Sequence, residues 1–341
     1  MKHCFVGIVF LFIATHLNAQ DPLRVLAVRG NVTVGGKGLV VGQWLKTADK
    51  VLVPKSGYVG LAHRNGRAIE ISKDGTYKVS DLALAASKKT GSVSSKFASY
   101  VVTELTEVEE PAAFSDKRRS NMKTTGAVNR AGGDDVDALD SALKIVGAPG
   151  ELRGLAFAEN KNLSDGKSVG IIMPRSTRLL SDTVRFLWHP VGSGKRYAVV
   201  VTDQADNVVM RKETSDTVLV VPLTGSGMRA GRWYSWHLEV PSQSSLQSSE
   251  YIIWILDGAE RAEVAALVAD IQQEHDPASE AVGHLVLAQA FEDYGCVYEA
   301  YESYLRALRA APSVQGYKRL FAAFLLRQNC NLDAYTAYTQ P

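Results

Sequence analysis

The residues best able to do chemistry in this chain do not assemble into a reactive pattern. Beyond residue 19 there are five histidines, His63, His189, His237, His275 and His284. No two stand at metal-ligand spacing, and neither a Cys-x-x-Cys nor a His-Glu-x-x-His run occurs. No Gly-x-Ser-x-Gly turn presents a serine. Carboxylates are scattered; an acid/base pair is made by approach in space, and nothing in the sequence singles one out. Gly30 and Gly35 have the separation of a phosphate-cradling loop, but Gly36 stands where the lysine belongs. Gly36-x-Gly38-x-x-x-Gly42 misses the dinucleotide spacing by one residue. Neither run leads into a helix whose N-terminus would hold a phosphate, so both read as turns. The expectation is no catalytic, cofactor-binding or metal-ligating residue, no cofactor, and a non-enzymatic chain.

The chain has 341 residues, 46% of them apolar, and a net charge of +2. That length allows two or three domains. The interspersed charges give no electrostatic support for a nucleic-acid partner. Lys2, the apolar run Cys4–Thr15 and Leu17-Asn18-Ala19 read as a signal peptide over 1–19, cleaved after Ala19. The run is too short for a comfortable membrane span, and Cys4 lies too early to be a lipid-bearing cysteine beside the cut. No later segment is expected to cross a bilayer. The product is expected to be exported, periplasmic in the first instance, with secretion as the alternative.

Cys296 and Cys330 then sit in an oxidising compartment, where a disulfide is the default. They are 34 residues apart. Around them Leu287, Ala288, Phe291, the breaker Gly295, then Ala300, Tyr304, Ala307 and Pro312 mark two helices. Phe321, Ala322, Leu325, then Asn329, Ala334 and Tyr338 repeat the pattern at the same interval. Asp276-Pro277 reads as the N-cap and first-turn proline of the first of these helices. Gly295 and Asn329 suit the left-handed conformation that ends a helix. Cysteines at one point of successive repeats have another helix between them. Packed helix axes lie roughly 8–10 Å apart, beyond the about 7 Å reach of a disulfide, so two free thiols are expected.

A 34-residue period in this residue order resembles the tetratricopeptide repeat. The first large residue of that pattern is missing: His284 and Lys318 occupy its place. The resemblance implies helical hairpins over 276–341 whose concave face binds partner segments, with His284 and Lys318 as the candidate partner-binding surface. About one and a half repeats are visible, fewer than the about three that stable arrays use, so binding and mere packing both remain open.

From Leu23 to about Leu82 short strands alternate with glycine turns, and Asn65-Gly66 is the clearest hairpin signal. Val28-Arg29-Gly30-Asn31-Val32, Gly42-Gln43-Trp44-Leu45, Ala48-Asp49-Lys50-Val51, Ser56-Gly57 and Asn65-Gly66-Arg67-Ala68-Ile69-Glu70-Ile71 together resemble the FecR-type β domain, expected over 20–104. That family's relay of a signal to a sigma factor needs a cytoplasmic arm. Only Met1–His3 precede the apolar run here, so the resemblance implies an envelope module, with a regulatory route as an alternative. A short helix is expected near Lys96–Thr103. Residues 105–175 read as a largely flexible linker, in which the basic run 117–119 reads as solvated. Val136, Leu139, Ala142 and Leu143 could line one face of a short helix.

Strands return from Thr183. Trp188-x-Pro190, Tyr197-x-Val199-x-Val201 and Gly231-x-x-Tyr234-x-Trp236-x-Leu238-x-Val240 resemble a fibronectin type III-like domain. The expectation is an all-β immunoglobulin/fibronectin-like sandwich over 176–257, with Trp188, Tyr197, Tyr234 and Trp236 in its core. A sugar-stacking platform is the alternative role for those rings. Val264, Leu267, Val268 and Ile271 make the apolar face of a connecting helix over 258–275. The whole reads as a multidomain envelope adaptor or scaffold with protein partners. A component of a FecR-like signalling route and a glycan- or envelope-polymer-binding protein are the other classes.

Overall fold

The structure, a computed structural model, describes residues 22–87, 92–106, 134–166, 168–274 and 280–340. The expected signal peptide, His275, Asp276-Pro277 and the basic run 117–119 lie outside the described residues. The chain has β-rich N-terminal and middle regions and a C-terminal region of several helices.

Eight strands open the chain: β1 (Leu23–Arg29), β2 (Thr33–Val34), β3 (Lys37–Gly38), β4 (Trp44–Leu45), β5 (Lys50–Val53), β6 (Tyr58–His63), β7 (Ala68–Ile71) and β8 (Gly75–Lys78). They form two four-stranded sheets, β4-β1-β6-β7 and β3-β2-β5-β8. The β6–β7 hairpin turns at Asn65-Gly66 as expected, Gly66 taking φ +89°. Alternation does the rest: Val51 and Val53 are buried while Leu52 between them is half exposed. Leu23, Val25, Leu45, Val51, Val53, Val59, Leu61 and Ile71 close a core of their own, with Val79 of helix α1 (Val79–Ala86). The outer face of the first sheet is apolar too. Leu26, Ala27, Tyr58, Ala62 and Ala68 belong to a second, larger core.

That second core starts at α2 (Ser92–Thr106) and runs through α3 (Asp134–Gly147) and α4 (Pro149–Ser164). The flexible linker expected over 105–175 is therefore corrected in its second half. Ala142, Leu143 and Val146 of α3 and Leu152 and Ala156 of α4 are buried. They recur at the three- and four-residue intervals that put side chains on one helical face. Pro149 at the first turn of α4 sets the corner between the two helices. Of the four residues expected to line a helix here, Ala142 and Leu143 do so. The side chains of Val136 and Leu139 lie outside the described residues.

The middle region holds β9 (Ile171–Met173), β10 (Thr177–Leu179), β11 (Thr183–Trp188), β12 (Tyr197–Thr202), β13 (Val208–Thr214), β14 (Val218–Pro222), β15 (Arg232–Glu239) and β16 (Tyr251–Ile255). They make a five-stranded sheet, β10-β16-β15-β12-β13, and a three-stranded sheet, β14-β11-β9. β9 pairs with β11, so this module begins inside the stretch expected to be linker. Trp188, Tyr197, Tyr234 and Trp236 are all buried, as expected for core. Phe186 meets Trp236 edge-on at 4.7 Å and Trp188 meets Tyr197 at 5.5 Å, joining the two sheets. Tyr197 and Tyr234 keep their hydroxyls paired, accepting from the amides of Val191 and Arg229.

Helix α5 (Gly258–Glu274) follows, burying Val264, Leu267 and Ile271. Then come α6 (Glu280–Asp293), α7 (Val297–Ala310), α8 (Gln315–Arg327) and α9 (Asn331–Thr339), with α6 packed on α7 and α8 on α9. The stretches upstream of the middle β module complete this block: α2 packs on α5, α6 and α8, α3 on α8, and α4 on α9. Helices from both sides of the middle β module thus share one block. No helix among the described residues is long and apolar enough to cross a membrane.

Candidate functional site at the helical end

The turns of the helical end form where the sequence places them. Gly295 takes φ +71° and Asn329 φ +58°, ending α6 and α8 in the left-handed region. Ala288, Ala300, Ala307, Ala322 and Ala334 are fully buried, and Leu287, Phe291 and Leu325 join them. With no side chain beyond Cβ, the alanines let neighbouring helices close on the aromatics. Tyr304 lies 5.7 Å from Phe321 and 5.1 Å from Phe324. Pro312 is exposed, and Tyr338 half-buried. Cys296 and Cys330 are buried free thiols, and burial pushes each up to about 12. At neutral pH neither is a thiolate nucleophile.

His284 and Lys318, the candidate partner-binding surface, are placed differently. Lys318 is 8% exposed. Its Nζ donates to the Gln340 carbonyl at 2.5 Å, just past the end of α9, where a cation satisfies an otherwise free helix carbonyl. That side chain is used inside the fold and is corrected to a structural one. His284 is half-buried on α6, and its pKa is lowered by burial and by Arg306 and Arg309. Elsewhere on α6 and α8, α2 packs against both helices. Leu105 of α2 stands so close to α8 that a Cβ on Gly316 would meet it at 3.0 Å. Helix α3 packs on α8 as well.

What holds the modules together is a set of acidic and hydroxyl side chains from one module that cap backbone amides of another. Glu70 of β7 accepts the Val282 amide at 2.5 Å through Oε1, capping α6. Its Oε2 accepts the Tyr58 hydroxyl at 2.8 Å, and that hydroxyl lies 2.9 Å from the hydroxyl of Tyr317 on α8. Burial raises the Glu70 pKa, against the lowering effect of the Val282 and Tyr58 bonds. Glu299 of α7 accepts the amides of Leu180 and Ser181, each at 2.8 Å, in the turn after β10. Burial pushes its carboxyl up to about 7. Thr177 returns the contact, accepting the Tyr298 amide at the start of α7. Glu159 of α4 does the same for Leu332 of α9 at 2.8 Å.

Arginine and histidine complete these junctions. Arg178 donates to the Tyr294 carbonyl and to Glu260 of α5. Arg185 pairs with Glu302, and His189 with Asp333 at 3.0 Å. For His189 burial, which lowers the pKa, is outweighed by the bond and charge of Asp333, which raise it.

None of these residues announces itself in the sequence. Glu70 and Val282 are 212 residues apart, and Glu299 and Leu180 are 119 apart. Chemically the arrangement fixes modules; no group of three or more metal-capable side chains occurs among the described residues. No protein-family model and no curated protein matches this chain.

Proposed function

We propose that this is a non-enzymatic, exported cell-envelope adaptor or scaffold that holds protein partners, built from a FecR-like β domain, a fibronectin type III-like sandwich and tetratricopeptide-like helices. The observation that carries the reading is the capping of one module by side chains of another, at Glu70–Val282, Glu299–Leu180 and Glu159–Leu332. Modules fixed in this way hold whatever they bind at set positions, which is what a scaffold requires. Export to the periplasm rests on the leader pattern of residues 1–19.

With α2 packed on α6 and α8, the partner surface falls on what remains accessible beside His284. The exposed Arg306 and Arg309 of α7 act on His284 electrostatically and form a basic patch suited to an acidic partner segment. The test is affinity purification from the native envelope with the full chain and with an Arg306→Glu/Arg309→Glu variant. Both positions are exposed, so the variant keeps its core. A protein recovered with the parent and lost from the variant supports the reading. The same proteins with both moves the surface elsewhere, and no protein with either removes the adaptor role.

A further inference from the structure

The middle β module carries a groove between the β12–β13 turn and the loop that leads into β15. It has a volume of about 370 Å³ and is lined by Asp203, Gln204, Val209, Arg229, Arg232 and Trp233, among others. That size falls within the range of small-molecule sites, roughly 300–1,000 Å³.

Both of its rims are fixed from inside. On one side Asp203 Oδ1 accepts the amides of Ala205 and Asn207, each at 2.9 Å, and Asp206 takes φ +59° in the same turn. On the other, Gly227 takes φ +87°, and a Cβ there would stand 2.9 Å from the Val209 carbonyl oxygen, so only glycine lets this loop lie against β13. The Tyr234 hydroxyl accepts the Arg229 amide at 2.8 Å, and Ser226 Oγ accepts that of Met228. The loop bearing Arg229 is held before any ligand arrives.

The charges in this groove are unbalanced. Arg229 and Arg232 are exposed, and neither is in an ion pair among the described residues. Asp203 is the one carboxylate in the lining, and its Oδ1 is already engaged by the turn. Its Oδ2 carries a single bond, from Asn207 Nδ2 at 3.2 Å, and keeps acceptor capacity for a hydroxyl. Gln204 adds an amide that can both donate and accept. The half-buried Trp233 supplies one flat apolar face among these polar groups.

We propose that this groove binds an acidic sugar of the uronic acid type. The carboxylate pairs with Arg229 and Arg232, the hydroxyls with Asp203 Oδ2 and Gln204, and the C–H face of the ring lies on Trp233. Arginine suits the first role because its guanidinium matches a carboxylate with two parallel bonds. The inference is independent of the adaptor reading, since it concerns a different module and a different class of ligand.

The experiment is titration of the intact protein with D-glucuronate, D-glucose and acetate at matched ionic strength, followed by calorimetry and tryptophan fluorescence. It is repeated on an Arg229→Ala/Arg232→Ala variant whose fold is checked by circular dichroism. Expected is glucuronate bound at least about tenfold more tightly than either control, with a change in tryptophan emission. In the variant the affinity falls by about tenfold or more, the scale of losing a charge-assisted bond. Glucose binding as well as glucuronate would remove the role of the arginines. Acetate binding as well would remove the sugar. Undiminished glucuronate binding by the folded variant, or none by the parent, overturns the proposal.

Discussion

The two β modules look alike in strand count and differ in how they are held. The N-terminal pair of sheets closes a core of its own from Leu23, Val59, Leu61 and their neighbours. Among the described residues the outer face of its first sheet joins the larger core. The middle pair of sheets has no private core: Phe186, Trp188 and Trp236 belong to the same buried cluster as Ala288, Tyr304 and Phe324 of the helices. The contrast shows that a β module can be a separable unit or one wall of a larger core, and that strand number does not decide which. What decides it is whether the apolar side chains of a sheet are matched within the module or left to face a neighbour.

The sharpest way to break the contrast is to damage each core in turn. Trp236→Ala removes a fully buried ring and should cost about 3–5 kcal/mol. It should loosen the middle module and the helices together and leave the amides of residues 22–87 protected in hydrogen exchange. Leu61→Ala, also fully buried, should cost about 2–5 kcal/mol and act in reverse, deprotecting the first module alone. Equal loss of protection across the chain in both variants would make the two cores one.

A smaller effect is expected at the face by which the first module meets α6 and α8. Glu70→Ala leaves the Val282 amide and the Tyr58 hydroxyl without their acceptor, at a cost of about 1–3 kcal/mol. Exchange should quicken at the first turn of α6 and not in the strands of the first core. Tyr317→Phe, which removes only the hydroxyl beside Tyr58, should do less.

The middle module's junction with the helices is expected to respond to pH, and the sign is set by two groups. Glu299 is raised from 4.5 to about 7, so its protonated form favours the folded state. That contribution is full below about pH 4.5 and is lost as pH rises toward 7. His189 is raised above 6.5, so its contribution is present below that value and is lost as pH rises through the higher folded value. Both changes weaken the same junction as pH rises from about 4.5 through neutrality. Denaturant midpoints should fall over that range, and Glu299→Gln should flatten the acidic half of the fall. An unchanged slope in the variant would remove Glu299 from the account.

The smallest effect concerns the thiols. Cys296→Ala and Cys330→Ala exchange one buried small side chain for another and should cost about 1 kcal/mol or less. In the parent, both thiols should resist labelling when native and react fully when denatured without reductant. Their labelling rates then report opening of the shared core.

Much of this was legible because it is local. Gly295 and Asn329, the Asn65-Gly66 turn and the alternating aromatics of β15 each carry their instruction within a few residues. Ala142 and Leu143 were legible as one face of a short helix, but α4 and the packing of the α3–α4 pair were not. Its buried stripe is short, Ala142, Leu143 and Val146, then Leu152 and Ala156, and it lies in polar sequence. Such a stripe has meaning only against α8 and α9, more than 150 residues onward. Lys318 misled for the same reason. It stands at the missing large position of the repeat pattern, and its acceptor, the Gln340 carbonyl, lies 22 residues on, just past the end of α9. The groove beside Trp233 draws its lining from two loops and two strands spread over 203–234, and no short motif contains it.

The helical block is assembled from segments that leave the ribosome on either side of the middle β module. Helices α2, α3 and α4 are made first, and the chain must then complete some hundred residues of strands before α6 to α9 exist to receive them. In that interval α2 has β1 to pack on, and α3 has α4, but their partners α5, α6, α8 and α9 are still missing. Sequence-distant pairing of this kind is slow and leaves sticky surface in the waiting state. Helices α8 and α9 therefore close this block, and a nascent chain stopped before α8 should engage holding factors until it is finished or degraded.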